Sequence, residues 1–477
     1  MPALLAVLNL IPAGRVRAQT FTTLYSFTAT YKPNFTNGDG AFPYAGLIAN
    51  SSGNTLYGAA AHAGISGNGT VFAVNTDGSG FTNLHSFTAI DLTYLTNTDG
   101  ALPVARLILS GNTLYGTAYV GGSSDAGTVF KVNTDGSGFT NLHSFSGSSD
   151  GDDPRVGLLL SGSTLYGADD GGSSGNGTVF VLNTDGTGFT NLHRFNYSDG
   201  VNPRGELILS NATLYGTAAG GGSWGWGTVF KVNTDGSGFT NLHNFTYNDG
   251  ASPVGQLVLS GSTLYGNANV GGSSGNGTVF AVNTDGSDFT NLHSFTSTHT
   301  NSSGVFTNND GANSQAGLIL SGNILYGTAA QGGSQGAGAV FALKTDGTGF
   351  TNLHSFAVAP YPYYINSEGA NPQAGLILSG NTLYGTASSG GSSGNGTVFS
   401  LSFRPQLSIV HSGPNVILSW PTNVAGFDYT CYTLQSTTNL VSPLVWSTNS
   451  PAPVVIGGQN TVTNPITGAQ QFYRLVQ

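Results

Sequence analysis

The chain has 477 residues, with 7% charged, 38% hydrophobic, 73 glycines and a formal net charge of −10. Ordinary soluble domains are roughly 25% charged; here Gly, Ser, Thr and Asn take that share, as in extracellular β-rich proteins, while the Phe, Leu, Val and Tyr content suffices for a packed core and argues against disorder. Twelve Lys and Arg make no basic patch over this length, which excludes nucleic acid as a partner, and the single cysteine, Cys431, excludes an intramolecular disulfide or a cysteine-based metal site.

The chain opens "MPALLAVLNLIPAGRVRAQT", in which residues 3–13 form an apolar run too short to span a bilayer. Val16 and Ala18 suit the small-residue positions of a signal-peptidase site with cleavage before Gln19, so residues 1–18 are expected to be a signal peptide. The basic stretch that usually opens such a leader is missing, and Arg15 and Arg17 fall after the apolar run. No other segment reads as transmembrane.

From residue 19 the chain repeats itself. "LYG" ends at Gly58, Gly116, Gly167, Gly216, Gly266, Gly327 and Gly385, at spacings of 49 to 61 residues, and each copy is followed by "GTVF" or "GAVF". "FTNLHSF" and its relatives also occur seven times, but out of phase: the first, "FTTLYSF" at 21–27, precedes the first "LYG", and none follows the last "GTVF" at 396–399. Each unit reads as four strands, "AGLILS", "NTLYGTA", "GTVFKVN" and "FTNLHSF", the last two joined by "TDGSG", a strong hairpin signal. Four strands in about 50 residues, seven times over, predict an all-β fold, a seven-bladed β-propeller across residues 19–403. A ring must close or leave exposed edges, so residues 21–27 are expected to supply the outer strand of the last blade. A linear β-solenoid has no such need. Beyond "FRPQ" the period stops, and residues 404–477 read as a small β-sandwich with Trp420 and Trp446 as core aromatics.

The phrase "GANPQAGLILSGNTLYGTASSGGSSGNGTVFSL" resembles the GloVer tandem repeat of secreted bacterial proteins, over residues 21 to about 402. That resemblance implies export and repetition but no particular activity. The unit is also similar to kelch repeats in length and glycine placement. In the C-terminal stretch, "LSWP", "LQSTTNL" and "FYRL" are similar to fibronectin-like domains at the ends of secreted proteins, which serve attachment or export.

Residues repeated in every unit read first as scaffold. Six of nine histidines, His85, His143, His193, His243, His293 and His354, sit in the "NLH" phrase, and Asp77, Asp135, Asp185, Asp235, Asp285 and Asp346 sit in hairpin turns, where the side chain bonds its own backbone. The "NTDG" phrase lacks the further carboxylates a calcium loop needs, so no metal or cofactor is expected, calcium being the one candidate weighed. A second acidic series, Asp39, Asp99, Asp150, Asp199, Asp249, Asp310 and Glu368, opens each connection into the first strand, as a turn former or alternatively as a cation site.

Departures from the repeat carry more information. The connections from strand four to strand one and from strand two to strand three should share one face, the top face. There Arg106 and Glu206 replace the glycine of "AGL", Arg155 and Arg204 follow the proline, Asp152 and Asp153 replace "AN", Asp169 and Asp170 precede a glycine pair, and Trp224 and Trp226 stand in a loop that elsewhere holds Ser, Asn, Gln or Ala. The long strand-four-to-one connections carry Tyr31, Phe35, Tyr94, Phe306, Tyr361, Tyr363 and Tyr364, a wall beside this polar cluster. The ten cluster residues are the candidate ligand-binding set; inter-blade salt bridges are the structural alternative for the charged ones. The favoured reading is a secreted or cell-surface, monomeric, non-catalytic protein that binds polysaccharide or another cell-surface component. A carbohydrate-active lyase or hydrolase using the Arg and Asp/Glu of blades two to four is the alternative, and a purely structural surface protein is the third. Carboxylates each paired with an arginine would favour scaffold over catalysis.

Overall fold

The computed structural model describes residues 19–477 except 92, 94–95, 172–174, 362, 425–426, 439, 441–444, 449–451, 467–470 and 477; the expected signal peptide lies outside them. The described chain is all-β, built from repeated four-stranded antiparallel sheets, with one short 3-10 turn at Gly122–Ser124. It divides into two compact units, Thr22–Ser400 and a second that joins Leu401–Gln477 to residues 19–21.

Within the first unit, each sheet follows the strand order read from the repeat. In repeat two the strands are Ile108–Ser110, Thr113–Ala118, Thr128–Asn133 and Thr140–Ser144, each bonded to the next. The first strand is shorter than expected: "AR" and Leu107 approach it without sheet pairing. The second strand is buried on both faces beyond its first residue, and this explains the two strongest motifs. Gly116 stands opposite Phe130, and a Cβ on Gly116 would lie 2.7 Å from Phe130 Cζ and 2.6 Å from Leu107 Cδ2. The phenylalanine of "GTVF" lies across a neighbour that has no side chain, so the glycine of "LYG" is required wherever that phenylalanine is present.

The apolar cores lie between neighbouring sheets. Tyr57, Val71, Leu84 and Phe87 of repeat one pack with Leu107, Leu114, Phe130 and Val132 of repeat two, each large side chain contributing about 1.5–3 kcal/mol by burial. Repeat seven lacks its own fourth strand, and Gln19–Ser26 fills that place beside Thr397–Phe403. The core between repeats seven and one joins Phe27, Leu47, Leu56 and Phe72 to Tyr384 and Val398.

The histidine and acidic series, read separately in the sequence, form one device. His85 Nε2 lies 2.9 Å from Asp99 Oδ2, and the same pair recurs as His143–Asp150, His193–Asp199, His243–Asp249, His293–Asp310 and His354–Glu368 at 3.0 to 3.3 Å. The His85 ring stacks on Phe139 of the next repeat, 3.7 Å between centroids. Tyr25 takes the histidine's place in the N-terminal copy, donating to Asp39 Oδ2 at 2.7 Å and stacking on Phe81. Burial pushes the Asp99 and Asp310 carboxyls up, but bonds from His85 and Thr88, and from His293 and Thr296, outweigh it and hold both below the usual carboxylate range. The hairpin aspartates form the expected turns: the Ser79 amide and hydroxyl donate to Asp77 Oδ1 at 2.9 and 2.6 Å.

The second unit has a four-stranded sheet ordered Ser408–Ser412, Asn415–Pro421, Gln459–Pro465, Val454–Ile456, and a three-stranded sheet ordered Ser447–Thr448, Thr433–Thr437, Phe472–Val476. Leu418, Trp420, Tyr429, Leu434 and Val462 are buried there. Trp446 differs from the expectation: it is half-buried, with the Arg474 guanidinium 4.3 Å above its ring.

Candidate functional site

The ten candidate residues fall in three places, of which the first two adjoin, because Arg155 and Arg204 of the second also line the cavity of the first. The first is a cavity of about 170 Å³ around which the same position of all seven repeats meets: Gly46, Arg106, Gly157, Glu206, Gln256, Gly317 and Gly375. Arg106 donates through Nε and Nη2 to Glu206 Oε2 at 3.1 and 2.9 Å, and through Nη2 to Gln256 Oε1 at 3.4 Å. Glu206 holds the Arg106 guanidinium above its ordinary range. Glycines make room for the pair: a Cβ on Gly46 would meet Arg106 Cδ at 3.2 Å, and one on Gly157 would meet Glu206 Cδ at 2.7 Å. Arg106 and Glu206 therefore face one another across this cavity as an ion pair.

The second place joins repeats two, three and four. Asp170 Oδ2 accepts from Arg204 Nε at 2.8 Å and pairs with Arg155 Nε at 3.3 Å. The Arg155 guanidinium lies 3.8 Å over the Tyr119 ring and its Nη2 donates to the Tyr119 hydroxyl. Burial, with Asp152 beside it, pushes the Asp153 carboxyl up. Asp169 is fully buried. Burial raises its carboxyl to about 8, against a bond donated by the Thr178 hydroxyl and backbone bonds from Asp152 and Gly171. In the six other repeats the same place is a buried alanine, Ala60, Ala118, Ala218, Ala268, Ala329 or Ala387. Among the described residues, no group of three or more His, Cys, Asp or Glu is placed to hold a metal ion.

The third place is the tryptophan loop. Its backbone matches that of the other repeats: Gly221 bridges to Trp226 as Gly271 does to Asn276, and Ser252 N donates to Trp226 O at 2.9 Å as Asn313 N does to Asn276 O. In repeats one, five and seven the residue at this position is an asparagine whose Nδ2 donates to a backbone carbonyl: Asn68 to Thr88, Asn276 to Thr296, Asn395 to Thr28. Trp226 gives up that bond and lies instead against Tyr247, ring centroids 4.8 Å apart. Trp224 is 65% exposed and Trp226 44%. Tyr197 and Tyr247, from the two adjacent strand-four-to-one connections, are also exposed, and a Cβ on Gly225 would lie 2.8 Å from the Tyr197 hydroxyl. Four aromatic rings thus gather at one exposed spot on a fixed backbone.

The strand-two-to-three and strand-four-to-one connections do lie together, as Gly222 N→Tyr197 O at 2.8 Å, Gly272 N→Tyr247 O at 2.7 Å and Asn308 N→Gly333 O at 3.2 Å show. Of the expected aromatic wall, Tyr31, Phe35, Phe306, Tyr361, Tyr363 and Tyr364 are exposed; Tyr94 lies outside the described residues.

The model of the Gloeobacter/Verrucomicrobia repeat matches residues 90–223, 168–306 and 302–415, more than half of the chain. The chain belongs to this family. No curated protein matches it. Among solved structures it is similar to the Niastella koreensis GH74 enzyme, at 16% identity and TM-score 0.49 over 92% of this chain and 71% of that one. It is also similar to an oligogalacturonate lyase from Vibrio parahaemolyticus, at 10% identity and TM-score 0.47 over 80% and 97%, and to an oligogalacturonate lyase in complex with manganese, at 10% and 0.46 over 81% and 96%.

Against the regular frame of these Gloeobacter/Verrucomicrobia repeats, four residues of the candidate places escaped the sequence reading. Gln256 replaces a glycine as Arg106 and Glu206 do, a signal open to the same comparison. Tyr197 and Tyr247 recur at one position of consecutive connections, "FNYSDG" and "FTYNDG", a signal open to the same comparison, whereas Tyr119 carries no motif; the packing of neighbouring repeats brings them to the tryptophans and to Arg155.

Proposed function

We propose that this protein is an exported polysaccharide-binding protein whose seven repeat sheets form a seven-bladed propeller closed by residues 19–26. The closure reading rests on the pairing of Gln19–Ser26 with Thr397–Phe403, on the core shared by repeats seven and one, and on the bond from Thr386 Oγ1 to Ala45 O at 3.0 Å. Residues 404–477 are read as a fibronectin-like sandwich that serves attachment.

One observation carries the binding reading: Trp224 and Trp226 are exposed in a loop that the other repeats build from small or polar residues, in repeats one, five and seven with an extra hydrogen bond. Large apolar faces held in water mark an interaction site, and rigid rings flanked by hydroxyl groups suit the apolar faces and hydroxyl edges of a sugar. The lyase or hydrolase reading is weaker, because the carboxylates it needs are engaged: Glu206 by Arg106, Asp170 by Arg155 and Arg204, while Asp169 is sealed from solvent.

The test is a polysaccharide array probed with purified residues 19–477, with product analysis of each hit. Binding without new reducing or unsaturated ends is the expected result. The double variant Trp224→Ser, Trp226→Asn should keep the wild-type melting point, since an asparagine replacing Trp226 is placed to regain the bond to the Thr246 carbonyl, and should lose affinity roughly tenfold or more. A double variant that binds as well as wild type defeats the tryptophan assignment.

A further inference from the structure

A second aromatic surface lies along repeats five, six and seven. It consists of two depressions, about 410 and 690 Å³, that share Gly336, Val358 and Asn371 as common lining. Each falls between successive strand-two-to-three loops, the same class of loop that carries Trp224 and Trp226 in repeat four. The first is bordered by Asn276, which occupies the Trp226 position, and by Phe306, Asn313 and Gln331. The second is bordered by Tyr363, Tyr364, Asn371, Asn395 and Phe42. Phe306, Tyr363 and Tyr364 are 65%, 76% and 54% exposed.

The chemistry of these linings is specific. Rings alternate with side-chain amides. Asn276, Asn371 and Asn395 each spend one Nδ2 hydrogen on a backbone carbonyl of Thr296, Ala330 and Thr28, which fixes the amide and leaves a second hydrogen to donate. Among the described residues lining the two depressions, none is charged. An anionic glycan placed here would lose hydration of its carboxylates with no cation to compensate, which costs several kcal/mol per group. A neutral chain offers ring faces to the aromatics and hydroxyls to the amides at no such cost.

We infer that this double groove is an extended binding site for an uncharged polysaccharide, continuing from the tryptophan loop of repeat four through repeats five, six and seven. The inference rests on the binding function proposed above and adds the class of glycan and the length of chain it engages. Several modest contacts on one continuous ligand raise affinity with chain length, so short oligosaccharides bind weakly and long ones strongly.

The experiment is affinity electrophoresis of residues 19–477 in gels containing xyloglucan, galactomannan or mixed-linkage β-glucan as neutral probes, and polygalacturonate or alginate as acidic ones. Three proteins are compared: wild type, Trp224→Ser with Trp226→Asn, and Phe306→Thr with Tyr363→Ala and Tyr364→Asn. All replaced side chains are exposed, and circular dichroism melts check that each variant folds. Wild type should be retarded by at least one neutral glycan, with little change as salt rises from about 0.05 to about 0.5 M. Each variant should lose roughly fivefold or more, and oligosaccharides of about eight units should compete far better than those of about two. A groove variant that is retarded like wild type while the tryptophan variant is not overturns the extended groove and leaves the binding function standing. Retardation by the acidic glycans alone, weakened by salt, overturns the neutral class only. No retardation by any glycan removes both.

Discussion

Asp169 offers the sharpest test of the physical picture. Its carboxyl is fully buried where six other repeats place a methyl group, and burial raises it to about 8. In the unfolded chain it titrates near 3.8. A carboxyl raised in the fold is held neutral there, so its contribution to stability is best at low pH and declines as pH rises from 3.8 to 8. By pH 7 the unfolded chain has gained from ionising across about three pH units, on the order of 4 kcal/mol at about 1.4 kcal/mol per unit. Asp169→Ala removes that gain. What is lost with it is the acceptor of the Asp152 and Gly171 amides, which lowers the net gain; the Thr178 hydroxyl, which now donates to Asp169, keeps an acceptor, since its counterparts Thr70, Thr128 and Thr278 donate to the backbone carbonyls of Asp39, Asp99 and Asp249 at 3.0 to 3.1 Å. In the variant, the Asp150 carbonyl takes that place. The expected result is a variant more stable than wild type by about 2–4 kcal/mol at pH 7, by much less at pH 4.5, with the difference levelling above pH 8. Guanidinium denaturation of both proteins at half-unit pH steps, followed by tryptophan fluorescence and far-ultraviolet dichroism, measures it. A difference that does not change with pH, or a variant less stable than wild type at pH 7, refutes the reasoning.

Three further outcomes follow from the same geometry. Glu206→Gly alone should cost about 1–3 kcal/mol by stranding Arg106, whereas Arg106→Gly with Glu206→Gly, which restores the glycine of other repeats, should cost less than the single change; additive effects in a double-mutant cycle would remove the ion pair from the account. Deleting residues 21–27 uncovers the edge of Thr397–Phe403 and the core around Phe72, so the thermal midpoint should fall by many degrees, and an unchanged melt would remove closure. Acid should destabilise an Asp169→Ala background in two stages. His143, His193 and His243 are held below their ordinary value, first by burial, so stability falls as pH drops below about 6.5, where the unfolded histidines take up protons. Asp99 and Asp310 are also depressed, so their share is lost at lower pH, as it falls through their folded values. Melting points constant from pH 7 to pH 4 would contradict the histidine assignment, and no further fall below pH 3.8 would contradict the aspartate one.

Much of the fold was legible because each repeat obeys the same local rules. Asp-Gly turns set the hairpins, runs of Val, Ile, Thr, Tyr and Phe set the strands, and the odd phase of "FTTLYSF" pointed to a strand borrowed from the N-terminus, which Gln19–Ser26 supplies. The tryptophans stood out by comparison with six other loops, and their exposure followed, since nothing in the shared backbone needs a ring there. Long-range pairings were another matter. Arg106 and Glu206 are 100 residues apart and meet only because the same position of every repeat converges on one cavity; sequence spacing carries no information about such a pairing, although Arg155 and Arg204, grouped with the pair in the sequence, do line the same cavity, and the tryptophans, grouped with it too, do not. The six histidines and the acidic series read as separate because bonding partners six to seventeen residues apart are joined by connections of unequal length. The separate fates of two neighbouring carboxyls were likewise beyond the sequence: Asp169 and Asp170 are adjacent and chemically identical, yet one faces Thr178 in a sealed interior and the other two guanidinium groups. Local chemistry is written along the chain, but desolvation and charge pairing depend on what other repeats bring to the same point, and that is decided by packing alone.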